Sequence, residues 1–330
     1  MLNLNAKLAP DLFDPAKLQQ KPIRDGYGDG LLMAGEANPN VVALCADLSE
    51  STRTQSFQKK FPDRYVELGV AEQNMANVAS GMAAMGKIPY ISSYAMFSPG
   101  RNWEQIRTTI AYNNQHVIIA GAHAGVSVGP DGATHQAVED MAIMRVIPNM
   151  TVIAPCDAIE AKKATFAAMN LQGGVYIRFA REKTPVVTTE DTPFQVGRAE
   201  VFREGKDVAI VACGSLVWNA FAAAEALSKE GIEATIINNH TIKPLDVETI
   251  VKTAKAIGAV VTVEEHQIAG GMGSAVCEAL AQHCPVPVER IGVQDRFGES
   301  GEPNELVEHF GMGVGSIVEA AKRVAGRKTA

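Results

Sequence analysis

Short runs of apolar, mostly β-branched residues alternate along this chain with stretches of helical periodicity. Val41-Val42-Ala43-Leu44-Cys45, Ile88-Pro89-Tyr90-Ile91, Val117-Ile118-Ile119-Ala120, Val152-Ile153-Ala154 and Val175-Tyr176-Ile177 have the length and composition of strands. A strand apolar on both faces must be covered on both, as in a parallel sheet between helical layers. The rhythm therefore restricts the chain to an α/β fold. It breaks between about Arg181 and Lys206, where Thr188, Thr189, Glu190, Asp191, Thr192 and Pro193 read as a polar linker. It resumes with Val208-Ala209-Ile210-Val211, a helix over 217–229, Ala234-Thr235-Ile236-Ile237 and Val260-Val261-Thr262-Val263. We expect a first domain over 1–190 and a smaller α/β domain over 191–330.

Two domains also suit 330 residues of which 46% are hydrophobic. With a net charge of −7 and its Lys and Arg scattered, the chain is not expected to bind nucleic acid or an anionic membrane, so any anion must meet a local site. The five cysteines lack CxxC spacing and read as reduced, buried small hydrophobes, which fits a cytoplasmic protein. Neither a leader nor a stretch of 18 uninterrupted apolar residues is evident.

Several polar residues sit where strands end. Leu68-Gly69-Val70-Ala71-Glu72-Gln73-Asn74-Met75-Ala76-Asn77 runs from a strand end into a helix, so Glu72 falls in the first turn and complements the helix dipole. Tyr94 and Phe97, in the segment Pro89-Tyr90-Ile91-Ser92-Ser93-Tyr94-Ala95-Met96-Phe97 with Arg101, suit either a core or a stacking platform. The loop from Ala122-His123-Ala124-Gly125 through Gly129-Pro130-Asp131-Gly132-Ala133-Thr134-His135-Gln136 follows a strand, where open α/β sheets bind ligands; a polar surface loop is the plainer alternative. Asp47 and Ser51, in Ala46-Asp47-Leu48-Ser49-Glu50-Ser51, would also serve as helix caps. Arg24 precedes the first helix and Arg181 follows residues 175–179, with Arg178 as a near alternative. The planar fork of arginine suits phosphate, although each could be an ordinary solvated side chain.

Together these segments resemble the thiamine-diphosphate-dependent transketolase family. Gly69-Val70-Ala71-Glu72-Gln73 is similar to its pyrimidine-domain signature, and the resemblance implies that Glu72 bonds N1′ of the cofactor's aminopyrimidine and activates it by tautomer control. It implies Tyr94 and Phe97 as the stacking platform and Asp47 close to the cofactor. It further implies Arg24, Ser51 and Arg181 on the substrate phosphate, and His123, Asp131 and His135 on the sugar hydroxyls and terminal phosphate, the two histidines joining Glu72 as catalytic residues. The implied reaction transfers a two-carbon ketol unit from a ketose phosphate to an aldose phosphate, as in the pentose phosphate pathway.

Gly28-Asp29-Gly30 mimics the start of the family's diphosphate and magnesium motif. That motif should follow a strand, and none precedes it here, so the triplet reads as the first turn of a helix and is rejected as a metal site. Gly270-Gly271-Met272-Gly273 reads as a strand-to-helix turn rather than an anion cradle, and Glu264-Glu265-His266 lacks a further ligand at metal spacing. The resemblance runs from Arg24 to Gly298 but omits the family's diphosphate-binding domain. It thus implies one subunit of a split enzyme, assembled as α2β2 with an N-terminal partner that holds most of the diphosphate contacts and the Mg2+ or Ca2+. The alternatives are the matching half of a deoxyxylulose-phosphate synthase, the β subunit of a 2-oxo-acid dehydrogenase, and an idle regulatory paralogue. The first usually lacks a histidine at position 123, and the second does not account for the set Arg24, Ser51, His123 and Arg181. Retention of Glu72 beside the His123–His135 loop disfavours the third.

Overall fold

The computed structural model describes residues 1–14 and 16–328. Its main sheet has seven strands in the spatial order Thr241–Lys243, Met150–Ile153, Gly174–Phe179, Ile118–Ala122, Ile88–Tyr94, Val41–Cys45, Tyr65–Glu67. All neighbours pair in parallel except the edge strand Thr241–Lys243, which runs antiparallel to Met150–Ile153. Every residue of Val41–Cys45, Ile118–Ala122 and Gly174–Phe179 is buried, as expected of strands covered on both faces. One face packs on Ile23–Ala37 and Ala158–Ala168, which meet closely because Gly26 lies under the Ala158 carbonyl, where a Cβ would come within 1.8 Å. The other face shares a core with Glu72–Ala84 and with Ile250 and Val276 of the second sheet's helices.

The second sheet has five strands in the order Val288–Val293, Val260–Gln267, Val208–Ala212, Ala234–Asn238, Glu200–Arg203, all parallel but the last. The α/β class read from the sequence therefore holds for both units. The segment read as a linker is partly ordered, because Lys183–Pro185 pairs antiparallel with Gln20–Pro22 and Glu200–Arg203 joins the second sheet. Cys45, Cys156 and Cys213 are buried, whereas Cys277, on the helix Met272–His283, and Cys284, just past its end and packed against the core, are only half-buried; all five are free. Among the described residues no helix is long and apolar enough to cross a membrane.

In the main sheet the chain moves from Val41–Cys45 to one neighbour, Tyr65–Glu67, and then to the opposite neighbour, Ile88–Tyr94. This reversal of strand order opens a crevice beyond the carboxyl ends of the central strands. Asp47 and Ser51 follow Val41–Cys45, Glu72 follows Tyr65–Glu67, and Phe97 follows Ile88–Tyr94, which ends in Tyr94 itself. His123 follows Ile118–Ala122, and Arg181 follows Gly174–Phe179. Residues scattered over more than a hundred positions thus gather at the carboxyl ends of the strands of one sheet.

Candidate active site

Glu72 is the first residue of the helix Glu72–Ala84 and is only 1% exposed. A carboxylate there needs partners. Arg101 Nη1 donates to Oε2 at 2.6 Å, and Ser93 Oγ donates to Oε1 at 3.3 Å. Asn102 Nδ2 donates to the Glu72 carbonyl at 3.0 Å and to Ser98 Oγ at 3.2 Å, so the turn after Phe97 is tied to the start of the helix. Arg101 also lies over the Phe97 ring, with Cζ 4.9 Å from its centroid.

From Phe97 the contacts continue inward. Tyr94 stacks on Phe97 at 6.2 Å and on His123 at 3.9 Å, and His135 meets the edge of the Phe97 ring at 5.4 Å. His123 has φ +55°, an uncommon conformation for a residue with a Cβ and one that clusters at functional sites. Burial, and then the positive charges of Arg24, Arg181 and Arg53, push its pKa down to about 3, so the imidazole is neutral near pH 7. Arg24 Nη1 lies 3.5 Å from His123 Nε2. Because a guanidinium can only donate, Nε2 is the acceptor and the ring hydrogen sits on Nδ1. That Nδ1 is buried and has no hydrogen-bond partner among the described residues, and neither has Arg24 Nε.

The arginines flank this imidazole. Arg24, near the start of the helix Ile23–Ala37, donates to the Ser51 carbonyl at 3.1 Å, and its pKa is lowered by burial and then by Arg53. Arg181 Nη1 donates to the Val128 carbonyl at 3.0 Å and lies 3.6 Å from the Asp131 carboxylate, so Arg24, Ser51, Asp131, Arg181 and the two histidines gather at one end of the crevice. Arg178, the alternative to Arg181, is buried below: Nε donates to Asp140 at 2.8 Å and Nη2 to the Glu265 carbonyl at 2.6 Å. Asp47 is exposed at the mouth, with φ +59°, and its amide donates to Glu67 Oε1 at 2.7 Å. Its carboxylate makes no hydrogen bond or ion pair with the other site residues.

The second unit supports the His123–His135 loop. Glu265 accepts from the Ser127 amide at 2.6 Å and from Ser215 Oγ at 2.8 Å, and a Cβ on Gly125, whose φ is +90°, would fall 2.4 Å from its carboxylate. Gln136 Nε2 donates at 2.9 Å to the carbonyls of Val126 and Glu299, clamping the loop to the C-terminal region. Glu264 accepts from the Met272 and Gly273 amides at 2.6 and 2.8 Å, so the helix start after Gly270-Gly271 already holds the chain's own carboxylate. A short strand, Gln20–Pro22, does precede Gly28-Asp29-Gly30, contrary to the expectation, but the triplet lies well inside the helix Ile23–Ala37, neither in its first turn nor in a strand-to-helix loop. Missed in the sequence were the pairing of Arg101 with Glu72 and the support from Glu265 and Gln136; Arg101 stands in the aromatic segment, but nothing there marks its partner 29 residues away.

The residues suit an aminopyrimidine. The Arg101 guanidinium shows the fit: a planar group lies on an aromatic face there and donates N–H to a buried carboxylate. Among the described residues no group of three or more His, Cys, Asp or Glu side chains could hold a metal ion.

Residues 19–186 match the transketolase pyrimidine-binding domain and residues 197–317 the transketolase C-terminal domain. The transketolase C-terminal section assigned in Methanocaldococcus jannaschii is 45% identical, over 92% of this chain and 95% of its own length. The 6-deoxy-6-sulfo-D-fructose transketolase subunit SqwH of Clostridium sp. MSTE9 is 41% identical, over 94% and 97%. A solved structure described as a split gene transketolase, inactive β4 tetramer, superposes with a TM-score of 0.88 at 44% identity, over 93% of this chain and 99% of that one. Sequence and architecture agree over nearly the full length, and the chain belongs to the transketolase family, of which it carries the pyrimidine-binding and C-terminal domains.

Proposed function

We propose that this chain is the C-terminal subunit of a two-chain transketolase, moving a two-carbon ketol unit between sugar phosphates with thiamine diphosphate and active only beside an N-terminal chain. The observation that carries this reading is an unbroken path of contacts from a buried carboxylate, Glu72, through Arg101, Phe97 and Tyr94, to a buried neutral imidazole, His123. Glu72 would hold the pyrimidine at N1′ and govern its proton, while Phe97 and Tyr94 offer the ring face and Asp47 borders the mouth. When bound, thiamine diphosphate supplies the nucleophilic carbon and the electron sink for breaking the ketol bond.

The chain's own share is orientation and proton placement. His123 offers its Nδ1 hydrogen to a substrate oxygen, and its lowered pKa keeps the second nitrogen available as an acceptor. Arg24 and Arg181, with Ser51, Asp131 and His135, take the distal phosphate and hydroxyls, where charge-assisted bonds add about 1.5–3 kcal/mol each. The diphosphate and its Mg2+ or Ca2+ fall to the partner in an α2β2 assembly, because a highly charged diphosphate needs a metal and amide donors. The split-gene relative is described as inactive as a β4 tetramer, which supports a requirement for the second chain.

The test is calorimetry and a coupled ketol-transfer assay on this chain alone and mixed with the N-terminal transketolase chain of the same source. The expected result is no turnover and no micromolar cofactor binding alone, with both arising together on mixing. Turnover by this chain alone would overturn the two-chain reading.

A further inference from the structure

We infer that Arg101 is a placeholder for the cofactor's aminopyrimidine: its guanidinium holds the niche between the Phe97 ring and the Glu72 carboxylate, and it exchanges with the ring when cofactor binds. The inference rests on the functional reading above, and it assigns a gating role to a residue of this chain.

Three contacts define the niche. Phe97 gives a flat face, with Arg101 Cζ 4.9 Å from its centroid. Glu72 Oε2 accepts from Arg101 Nη1 at 2.6 Å, and Ser93 Oγ holds the other carboxylate oxygen at 3.3 Å. A planar ring that stacks on Phe97 and donates N–H to Glu72 makes the same demands. One carboxylate oxygen and one ring face cannot serve both groups at once.

The asymmetry of burial says which group moves. Side-chain exposure is 45% for Arg101 and 1% for Glu72, so the guanidinium can turn into water while the carboxylate cannot. Only the side chain has to turn, because Asn102 ties the adjoining backbone to the Glu72 carbonyl and to Ser98. Before the cofactor arrives, Arg101 spares Glu72 the cost of being buried with its charge uncompensated. That contact lowers the apparent cofactor affinity in proportion to the fraction of molecules whose niche is closed.

The experiment uses the complex reconstituted with the N-terminal chain and magnesium, titrated calorimetrically with thiamine diphosphate, for the wild type, Arg101→Met and Arg101→Gln. The expected result is a Kd about tenfold lower in both variants, the size of one charge-assisted bond removed from competition. The variant chains alone should melt at lower temperature, since Glu72 has lost its partner. A lower melting temperature with unchanged Kd would mean an ordinary ion pair and would overturn the proposal. A weaker Kd in both variants would make Arg101 a cofactor contact and would overturn it equally. If the wild-type complex itself binds no cofactor, the functional reading falls and this inference with it, whereas normal wild-type binding with either adverse variant result removes only the role of Arg101.

Discussion

The ring of Tyr94 lies flat against the imidazole of His123, with centroids 3.9 Å apart and planes 22° from parallel. This backing fixes the direction in which the buried Nδ1 hydrogen points. Tyr94→Phe keeps the ring and should leave kinetics near wild type. Tyr94→Leu removes it, and the lost stacking of about 0.5–1.5 kcal/mol should raise KM for a phosphorylated donor by up to about tenfold. His123→Ala should do at least as much, and an unphosphorylated donor should be less affected by it. The check is steady-state kinetics of the reconstituted complex with matched donors; equal losses for both donors in His123→Ala would place the imidazole at the cofactor instead.

Glu72→Gln should leave the fold and partner association intact, because the amide keeps the shape and can still accept from Arg101. Turnover should fall by about 10²–10⁴ or more, the range for one acid-base group. Hydrogen–deuterium exchange at the thiazolium carbon of the bound cofactor reads this directly. Wild-type exchange in the variant would remove Glu72 from proton control.

Two arginines three positions apart should give opposite phenotypes. Arg178 and Asp140 form a buried ion pair, 5% and 1% exposed, with Tyr176 OH also donating to Asp140 at 2.7 Å. Arg178→Met leaves that carboxylate uncompensated and should cost about 3–5 kcal/mol in urea unfolding. Arg181 is far more exposed, so Arg181→Ala should change stability by no more than about 0.5 kcal/mol while raising KM for phosphorylated substrates by one to two decades. A destabilised Arg181 variant beside a stable Arg178 variant would reverse these roles.

Several features of this site were legible in the sequence because they are local. The turn from Tyr65–Glu67 into Glu72–Ala84 and the glycine-rich loop around His123 and Asp131 each carry their pattern within a dozen residues. Arg178 was not separable from Arg181, because Gly174–Phe179 is buried on both faces and offers no alternation to show which way a side chain points. The Arg101–Glu72 pair and the Glu265 support were illegible for a different reason. Each joins segments that only the sheet order brings together, across 29 residues in one case and 138 in the other.

Buried titratable groups of opposite kinds should shape the response to pH. Burial pushes His240 down to about 3, as burial and neighbouring charge do for His123. Below about pH 6.5 the unfolded chain takes up protons there that the fold refuses, so stability falls as pH drops toward 3. Burial pushes Glu160 and Glu264 up to about 7, and their contribution, full below about pH 4.5, is lost as pH rises through 7. Between about pH 4.5 and 6.5 the two pairs oppose each other and stability should change little; below that only the histidines act, and it should fall. His240→Phe keeps a ring against Phe194, 4.5 Å away, and should flatten the acid limb by about 1.4 kcal/mol per pH unit. Denaturation curves over pH 4–8 decide this, and superimposable profiles for variant and wild type would refute it.

The strand Thr241–Lys243 leaves the second sheet's territory to close the edge of the first. The polypeptide therefore crosses between the two units four times: between Leu12, which packs with the second unit, and Gln20; near residue 190; and on either side of this strand. A hinge needs few crossings, and cassette exchange of a whole C-terminal unit needs one. Transplanting that unit from a relative would carry an edge strand with it, and deleting it would bare the backbone of Met150–Ile153 as a template for aggregation. Sequence change is therefore best absorbed in the loops at the crevice, where replacements leave both sheets intact.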